Sequence, residues 1–446
     1  MITPEEIRLA EETLAFALSS GADSARITLN KSLTDLVAMR DGVLDRVSHS
    51  LDRSLQLSLF ADGRFGSFSI NRLDRKALEE FTLSALATLR LLAPDPLRSL
   101  PSPERTAKDA VTGLETGLYD PAYEKMDASQ RLELAAKSTL WARKAALEDG
   151  FTLISEEEEY SDSFYDSLLL DSNGTRCRHT ETSFEIGCEL TVQDPPGARY
   201  SGFWWDACPF FKDLDLEGCS EKALKRAAES IGPVPCKGGE MSVIVDKECA
   251  AKLVTPVLNA LGGFALQQKN SFMDGTLGQK VLGDNVTIFD RPRSKGETGS
   301  RYFDSEGVAT AETTVIENGV VKEYFLSTWT AAKLSMAPTI EDCTRACIAP
   351  TGGCRDLEEI IADVRDGILI TAFNGGNHNS STGEYSYGIE GFLIKNGRRA
   401  HPVREMLMTG DLVTLWNNLT HAGSDARLCA SRLIPSLAFK NVKISG

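Results

Sequence analysis

The chain has 446 residues, of which 42% are hydrophobic and 25% are charged. This size and balance predict a globular protein of two or three domains with substantial apolar cores. The formal net charge of −16 opposes binding to nucleic acid, which requires a basic face. No run of about 18 apolar residues is present, so we expect no membrane span. The acidic amino terminus lacks a secretion signal and the 10 cysteines are scattered, which favours a cytoplasmic protein with free thiols.

Residues 1–105 are predicted to form a first α+β unit. Thr3 and Glu6 form a capping box around Pro4, at the start of a helix that ends at Gly21. Alternating apolar residues and Asp-Gly turns then predict antiparallel strands at residues 24–29, 36–40, 55–59 and 68–70. A helix at residues 74–92 completes the unit, and a proline-rich connector follows at residues 93–103.

The same order of elements recurs in residues 118–232, the second predicted unit. Asp127 caps a helix that runs to Gly150, with Gln130 as its reciprocal partner. Strands are predicted at residues 151–155, 167–171, 176–180, 184–192 and 200–205, followed by a helix at residues 216–231. The fold class is therefore α+β, with a repeated helix–antiparallel meander–helix unit in the N-terminal half that a duplication could produce.

The densest run of charge is the four glutamates at residues 156–159. Blocks of like charge are usually solvated, so we expect this run to be a solvated strand edge or a loop. A cation site is the alternative interpretation.

Residues 236–446 are predicted to form a third domain that is mostly β, with mixed or antiparallel sheets and a few helices. Glycine and proline at residues 232–239 mark its boundary. Many short strands follow, and Asn-Gly pairs at residues 318–319 and 396–397 indicate hairpins.

An amphipathic helix is predicted near the start of this third domain, at residues 246–264. Asp246 can cap it, Pro256 should kink it, and Gly262 and Gly263 are expected to end it. Its apolar residues recur at helical spacing and predict one buried face: Ala250, Leu253, Val254, Val257, Leu258 and Leu261.

Few motifs in the chain point directly to chemistry. The 5 histidines form no H-E-x-x-H motif, and no phosphate-binding or dinucleotide-binding glycine loop is present. Cys343, Cys347 and Cys354 lack the paired C-x2-C spacing of structural zinc sites, so we expect buried or loop thiols there.

Two segments are suited to contact a ligand. Asp304 and Glu306 are two residues apart and would point the same way on a strand, where they could serve acid–base chemistry or bind a cation. Alternatively, they pair with Arg301 or accept backbone N–H bonds in a tight turn. Residues 374–391 form a predicted loop of small hydroxylated and aromatic residues, which could contact a ligand's backbone or could be a glycine-rich connector.

The order of several motifs resembles the TldD/PmbA family, known as modulators of DNA gyrase and as zinc metallopeptidases. The resemblance covers nearly the whole chain. The motifs are S-x-x-D-G-x-L-G at residues 271–278, G-S-R-x-F-D-x-E-G at 299–307, I-E-N-G-V-V-K-x-Y at 316–324, S-T-G-E-Y-S-x-G at 381–388, G-F-L-I-K-N-G at 391–397 and C-A-S-R-L-I-P at 429–435.

The resemblance implies a two-part, dimeric, cytoplasmic assembly. The peptidase branch of the family carries H-E-x-x-x-H at the end of a helix and a late cysteine as the third zinc ligand. On this chain the motif falls on residues 259–264, where Asn259, Ala260 and Phe264 stand in place of the first imidazole, the glutamate and the second imidazole. Cys429 matches the late cysteine but cannot hold zinc alone. We therefore expect no metal and no cofactor.

This pattern is similar to the PmbA (TldE) branch of the family. It implies a non-catalytic, metal-free subunit of a peptidase that degrades or trims small unfolded peptides, paired with a zinc-bearing TldD-like sibling, with itself, or both. Two alternatives stay open: a self-sufficient peptidase with an unusual metal site built from His378, His401 or Cys429, and a stand-alone homodimeric peptide-binding module. The residues expected to contact peptide are Arg301, Asp304, Glu306, Thr382, Glu384, Tyr385 and Cys429.

Overall fold

The computed structural model describes residues 1–148 and 152–446, so the predicted helix end at Gly150 and strand start at Phe151 lie outside the described residues. One six-stranded antiparallel sheet, in the order β3-β2-β1-β4-β5-β6, takes strands from both N-terminal units. The strands are β1 (Ser24–Arg40), β2 (Val43–Ala61), β3 (Arg64–Ile70), β4 (Thr152–Asp171), β5 (Arg176–Gln193) and β6 (Arg199–Cys208). The helices are α1 (Pro4–Ser19), α2 (Arg75–Leu89), α3 (Ala128–Glu148) and α4 (Leu216–Glu229).

The two predicted units share this sheet because β1 and β4 pair along their length, from Arg26 opposite Asp171 to Arg40 opposite Glu157. The breaks predicted within β1 and within β4 are wrong, since each is one long strand. Mostly polar residues fill the apparent gaps. Backbone hydrogen bonds to a neighbouring strand on each side keep these segments extended without an apolar pattern.

Side chains of β1 alternate between a helix-covered face and an open face. Ile27 and Leu29 are buried beneath the helices, whereas Arg26, Thr28 and Asn30 line the opposite face. Helices α1 and α2 pack on one end of the sheet and α3 and α4 on the other, which gives two apolar clusters. The open face is consequently polar and faces the rest of the chain.

The acidic run in β4 is half buried. Glu156 and Glu158 are 0% and 1% exposed, while Glu157 and Glu159 are exposed. The expectation of a solvated run is therefore wrong for alternate residues, because strand alternation turns them toward α3. Arg143 pairs with Glu156. Burial, reinforced by the negative charge of Glu156, raises the pKa of Glu158 to about 7.

Glu158→Gln is expected to raise the free energy of unfolding at about pH 8 and to change it little in acid. A folded-state pKa above the ordinary value of 4.5 means that the bound proton stabilises the fold; this contribution is complete below pH 4.5 and is lost as the pH rises to about 7. At about 1.4 kcal/mol per pKa unit, the gain at high pH is about 3 kcal/mol. Urea unfolding across this pH range measures the gain.

The exposed neighbour supplies a matched control for this experiment. Glu157→Gln removes one carboxylate from the same strand but from its solvated face. It should leave the pH dependence of unfolding unchanged. Equal pH profiles for the two variants would contradict the burial argument.

The C-terminal part holds two sheets. Strands β14-β13-β12-β7-β16-β15 form the larger one, and a further pairing of β14 with β16 closes five of them into a barrel. Strands β7 and β12 are parallel and their neighbours antiparallel, which confirms a mixed sheet. The smaller sheet has the order β10-β9-β8-β11. No helix in the described part of the chain combines the length and apolar character needed to cross a membrane.

The elements of this part, in chain order, have the following bounds. They are β7 (Gly239–Val245), α5 (Lys247–Ala260), α6 (Gly263–Gln267), β8 (Ile288–Asp290), β9 (Thr313–Glu317), β10 (Val320–Val321), α7 (Thr328–Leu334), β11 (Ala346–Ile348), α8 (Leu357–Val364), β12 (Gly367–His378), β13 (Glu384–Lys395), β14 (Arg398–Asp411), α9 (Leu412–Asn417), β15 (Leu419–Ala422) and β16 (Leu437–Ser445).

The helix predicted at residues 246–264 is confirmed as α5, and all six of its predicted apolar positions are buried in the largest apolar cluster. Asp246 Oδ1 accepts a hydrogen bond from the Glu248 N–H over 3.0 Å, as the capping prediction requires. The helix ends at Ala260, and Gly263 begins α6. A Cβ at Gly263 would lie 2.4 Å from Thr330 Oγ1, so glycine is needed where α6 approaches α7.

The proline-rich connector after α2 ties the sheet to the C-terminal part. Residues 93–103 form neither helix nor strand, as predicted. Arg98 lies between two aromatic rings, 4.8 Å from the centroid of Phe65 and 3.7 Å from that of Trp329. Trp329 Nε1 donates to Asp95 over 2.7 Å. These contacts set the position of α7 relative to β3.

Candidate functional site

A cleft lies between the open face of the sheet and the C-terminal part. Two cavities of about 460 and 580 Å³ share Tyr165, His179 and Arg301 in their walls, so they adjoin. The second cavity extends to Ala251 of α5 and to residues 430–432. The sheet also lines the first cavity with Arg26, Thr28, Asn30, Gln56, Ser58 and Ser67.

Arg301 stands where the two cavities meet. Its guanidinium pairs with Asp342, and its Nε is buried without a hydrogen-bond partner among the described residues. Across the cleft, His179 Nε2 lies 3.1 Å from the Glu181 carboxylate. A guanidinium has five N–H donors, so Arg301 can bind a ligand oxygen while it keeps its ion pair.

The loop of residues 299–307 forms one wall of the cleft and is held by its carboxylates. Asp304 Oδ1 accepts hydrogen bonds from the N–H groups of Glu306 and Val308, both over 2.9 Å, and Oδ2 accepts from the Glu341 N–H over 3.1 Å. Glu306 accepts from the Thr328 N–H over 2.7 Å. The tight-turn interpretation is therefore the right one, and the strand interpretation is wrong. Burial raises the pKa of Asp304 to about 6, and the negative charge of the nearby Glu306 contributes to this increase.

The segment predicted as a loop at residues 374–391 is a β-hairpin of β12 and β13. Glycine bulges let the strands pair where the sequence looks irregular. Thr382 and Glu384 are exposed, and Tyr385 is buried in the apolar core. Ser381 Oγ donates to Asn270 Oδ1 over 2.6 Å, so the turn lies beside the segment that follows α6. These residues lie outside the walls of the two cavities.

The residues at the end of α5 do not fit zinc. Asn259 and Phe264 are exposed and Ala260 is buried, and an amide, a phenyl ring and a methyl group are not the imidazole, thiolate or carboxylate ligands that zinc takes. Cys429 lies near Glu248 at the start of the helix, and burial raises the pKa of its thiol. Within residues 1–148 and 152–446, no group of three His, Cys, Asp or Glu side chains is placed to hold a metal ion.

Sequence reasoning missed the sheet residues of the cleft, among them Arg26, Tyr165 and His179. A usable signal was present, because polar residues occupy every second position of β1 from Arg26 to Asn30, with apolar residues between them. Such alternation predicts a strand with one open face. What covers that face depends on contacts with residues far along the chain, such as Arg301.

Three family models match the chain. They describe the PmbA/TldA metallopeptidase domain 1 at residues 25–88, the central domain at 119–231 and the C-terminal domain at 238–446. The metalloprotease PmbA of Escherichia coli O157:H7 is 25% identical over 98% of this chain and 96% of its own length. The PmbA homolog of Haemophilus influenzae is 26% identical over 99% and 96%.

Solved structures agree with these matches. A Bacteroides thetaiotaomicron protein, named for a suggested role as a modulator of DNA gyrase, is 38% identical with a TM-score of 0.94, and the match covers 100% of both chains. TldE from Thermococcus kodakarensis, 21% identical, has the same fold with a TM-score of 0.84 over 98% of this chain and 100% of its own. Three regions of the chain match the family models in order, and a solved structure that covers the whole chain is 38% identical to it. The chain therefore belongs to the PmbA/TldD metallopeptidase family.

Proposed function

We propose that this chain is a non-catalytic, PmbA/TldE-like subunit of a cytoplasmic metallopeptidase that degrades or trims small unfolded peptides. The observation that carries the proposal is the chemistry of the residues at the end of α5. Asn259, Ala260 and Phe264 stand where the family's peptidase branch has two imidazoles and a glutamate. None of them binds zinc or accepts a proton from a zinc-bound water. A zinc-bearing, TldD-like sibling would supply the chemistry.

The cleft supports a role in holding peptide. An extended peptide presents a backbone N–H and C=O at every residue, spaced about 3.3 Å apart. The guanidinium groups of Arg26 and Arg301 can donate to such carbonyls, and the side chains of Asn30 and Gln56 can both donate and accept. Contacts of this kind recognise a backbone and not a sequence, which suits a mixture of unfolded peptides.

Peptide cleavage is expected only when this chain and its zinc-bearing sibling are present together. The measurement is the cleavage of short unfolded peptides by each purified chain alone and by the mixture, with the zinc content of each chain. Undiminished cleavage by the sibling alone would contradict the proposal. Stoichiometric zinc on this chain would equally overturn it and favour a self-sufficient enzyme.

Within the active mixture, Arg301→Glu is expected to weaken peptide binding by about tenfold or more, because a hydrogen bond to a charged group contributes about 1.5–3 kcal/mol. The effect should appear as a raised KM, measured by steady-state cleavage. Arg90→Glu makes the same change of charge at an exposed position next to α2, away from the cleft, and serves as the control. Equal KM values for the two variants would show that the cleft does not bind the peptide.

The two alternatives differ in what they require of the structure. A metal site built from His378, His401 or Cys429 would need more than one of them to meet, but His378 lies at the end of β12, His401 on β14 and Cys429 near the start of α5. A stand-alone binding module requires a stable homodimer that binds peptides without cleaving them. The oligomeric state of the isolated chain therefore matters for both the proposal and this second alternative.

A further inference from the structure

Arg432 is a cation without a carboxylate partner in the wall of the cleft. It lines the cavity of about 580 Å³ and forms no ion pair with any of the described residues. Its Nη1 donates a hydrogen bond to Thr255 Oγ1 over 2.5 Å. In the part of the chain that the structure describes, its other guanidinium nitrogens are neither hydrogen-bonded nor buried. Because a guanidinium has five N–H donors, most of those of Arg432 can bind a ligand.

Three neighbouring elements fix the position of Arg432. Thr255, which accepts its hydrogen bond, lies in the middle of α5. The residue that follows Arg432 donates its backbone N–H to the Ala346 carbonyl of β11 over 2.8 Å. A Cβ at Gly299 would lie 2.7 Å from the Ser431 Cβ, so the loop that carries Gly299 packs directly on this segment. An arginine held in this way loses little conformational freedom when a ligand binds.

The other charges of this cavity compensate one another. Arg301 pairs with Asp342, whose side chain is 63% exposed. His179 Nε2 lies 3.1 Å from the carboxylate of Glu181, whose side chain is 42% exposed. Both carboxylates therefore lie at the solvated rim of the cavity and already have partners. Arg432 is the cation that these pairs leave without a counter-charge, so the cavity suits a ligand with one negative charge.

The chemistry of the site favours a carboxylate over a phosphate. The planar guanidinium can donate two parallel N–H bonds to the two oxygens of a carboxylate. A phosphate group carries about two negative charges and would be repelled by Asp342 and Glu181 at the rim. The net charge of −16 also opposes the approach of a polyanion. A single carboxylate matches the one uncompensated cation.

The C-terminus of a peptide supplies a carboxylate of this kind. Every unfolded linear peptide ends in one, whatever its sequence, whereas many peptides contain no acidic side chain. The adjoining cavity offers hydrogen-bonding groups for the backbone that precedes it. The ammonium group at the other end of the peptide is repelled by the guanidinium of Arg432. Recognition of the carboxylate would therefore also set the direction in which a peptide lies in the cleft.

We propose that Arg432 binds the C-terminal carboxylate of the peptide held in the cleft, so that the peptide runs from the open face of the sheet toward α5. This inference rests on the proposed peptide-holding function and adds which end of the substrate is recognised. Thr255 and Asn259 are four residues apart on one side of α5, about 6 Å along its axis. The bound carboxylate therefore lies about one turn from the position where the peptidase branch has its first imidazole. Peptides with a blocked C-terminus are consequently poor ligands.

The binding of matched peptides to the purified chain tests this proposal. Three short unfolded peptides of glycine, serine and alanine carry the same fluorophore on the N-terminus. One ends in a free carboxylate, one ends in an amide, and one ends in an amide but contains an internal glutamate. The free acid is expected to bind at least about tenfold more tightly than either amidated peptide, as measured by fluorescence anisotropy.

Two results with these peptides would overturn the carboxylate site. Equal binding of the free acid and the plain amide would show that the C-terminus is not recognised. A glutamate-containing amide that binds as tightly as the free acid would show that the site takes an acidic side chain and not the terminus.

Variants of the arginine assign the effect to one residue. Arg432→Met should raise the Kd of the free acid to that of the plain amide and leave the Kd of the amide within about twofold, which also shows that the variant is folded. Arg404→Met is the matched control, because Arg404 is exposed on β14, outside both cavities, and has no ion pair within the described chain. A preference for the free acid that survives Arg432→Met would contradict the assignment.

Failure of this proposal is distinguishable from failure of the proposed function. Equal binding of acid and amide overturns only the carboxylate site and leaves the peptide-holding cleft in place. No binding of any of the three peptides would overturn both the carboxylate site and the peptide-holding role. Cleavage of the peptides by the purified chain alone would contradict the non-catalytic assignment, whichever end of the peptide Arg432 binds.

Discussion

Arg427→Met is expected to lower the free energy of unfolding by about 3–5 kcal/mol, because it leaves the buried Glu248 carboxylate and the partly buried Asp206 carboxylate without their cation. Arg427 donates to the Glu248 carboxylate over 2.6 Å, to the Asp206 carboxylate over 3.2 Å and to the Trp205 carbonyl over 2.6 Å. Its guanidinium carbon also lies 4.6 Å from the ring centroid of Trp204. The Glu248 side chain is 8% exposed, so water cannot replace the lost partner.

The effect of Arg427 reaches across the molecule. Trp205 and Asp206 belong to β6 of the sheet, while Glu248 stands in the first turn of α5. Arg427 therefore joins the sheet to the C-terminal part and anchors the segment that carries Cys429. We expect its loss to uncouple the unfolding of the two parts.

Two further variants separate charge from packing at this position. Glu248→Gln added to Arg427→Met should recover part of the loss, because the unpaired buried charge is then gone. Lys247→Met removes the cation that precedes Glu248 in the sequence. The Lys247 side chain is 30% exposed and its ammonium lies 3.5 Å from the Asp425 carboxylate, which keeps hydrogen bonds from the Ser436 N–H and Oγ, so stability should fall by less than about 1 kcal/mol. Urea unfolding measures each. No recovery in the double variant would show that stacking on the tryptophans, and not charge pairing, holds the site together.

Gly202→Ala is expected to lower the free energy of unfolding by about 3 kcal/mol or more, because α4 packs directly on the backbone of β6. A Cβ at Gly202 would lie 2.2 Å from the Ala223 carbonyl oxygen and 2.3 Å from the Ala227 nitrogen. These are backbone atoms on the buried face of α4 and cannot move aside singly, so the methyl group must displace the helix. The expected result is that the apolar residues between the sheet and helices α3 and α4 no longer pack closely.

Gly187 provides the matched control on the neighbouring strand. It also lies within the sheet, but on the open face, where a Cβ would meet the Phe203 ring at an ordinary contact distance of 3.6 Å. Gly187→Ala should therefore change stability by less than about 0.5 kcal/mol. Thermal unfolding followed by circular dichroism compares the two variants. Similar losses in both would mean that the sheet resists alanine for a reason other than contact with α4.

Local elements could be predicted because their signals lie within a few residues of each other. The capping box of Thr3 and Glu6, the cap of α3 at Asp127 and the buried face of α5 depend on spacings of three or four residues, and all are present in the structure. The periodicity of a helix is a property of its own sequence. Side chains at those spacings share a face whatever surrounds them.

The joining of the two N-terminal units could not be predicted in the same way. It depends on Arg40 lying opposite Glu157, and no local pattern records a pairing between residues so far apart. The burial of Glu158 follows from that pairing, because the strand must lie under α3 before its alternate carboxylates are covered. A run of four glutamates carries no sign of which two face inward.

The candidate site also combines features that depend on the sequence alone with features that depend on the tertiary structure. The sequence by itself determined which residues stand at the end of α5, and Asn259, Ala260 and Phe264 lack zinc-binding chemistry in any fold. Only the tertiary structure decided that Arg301 faces Tyr165 and His179 across a cleft and that Cys429 lies near the start of α5. The reason is physical: side-chain chemistry belongs to each residue, whereas burial and proximity arise from pairings between distant segments of the chain.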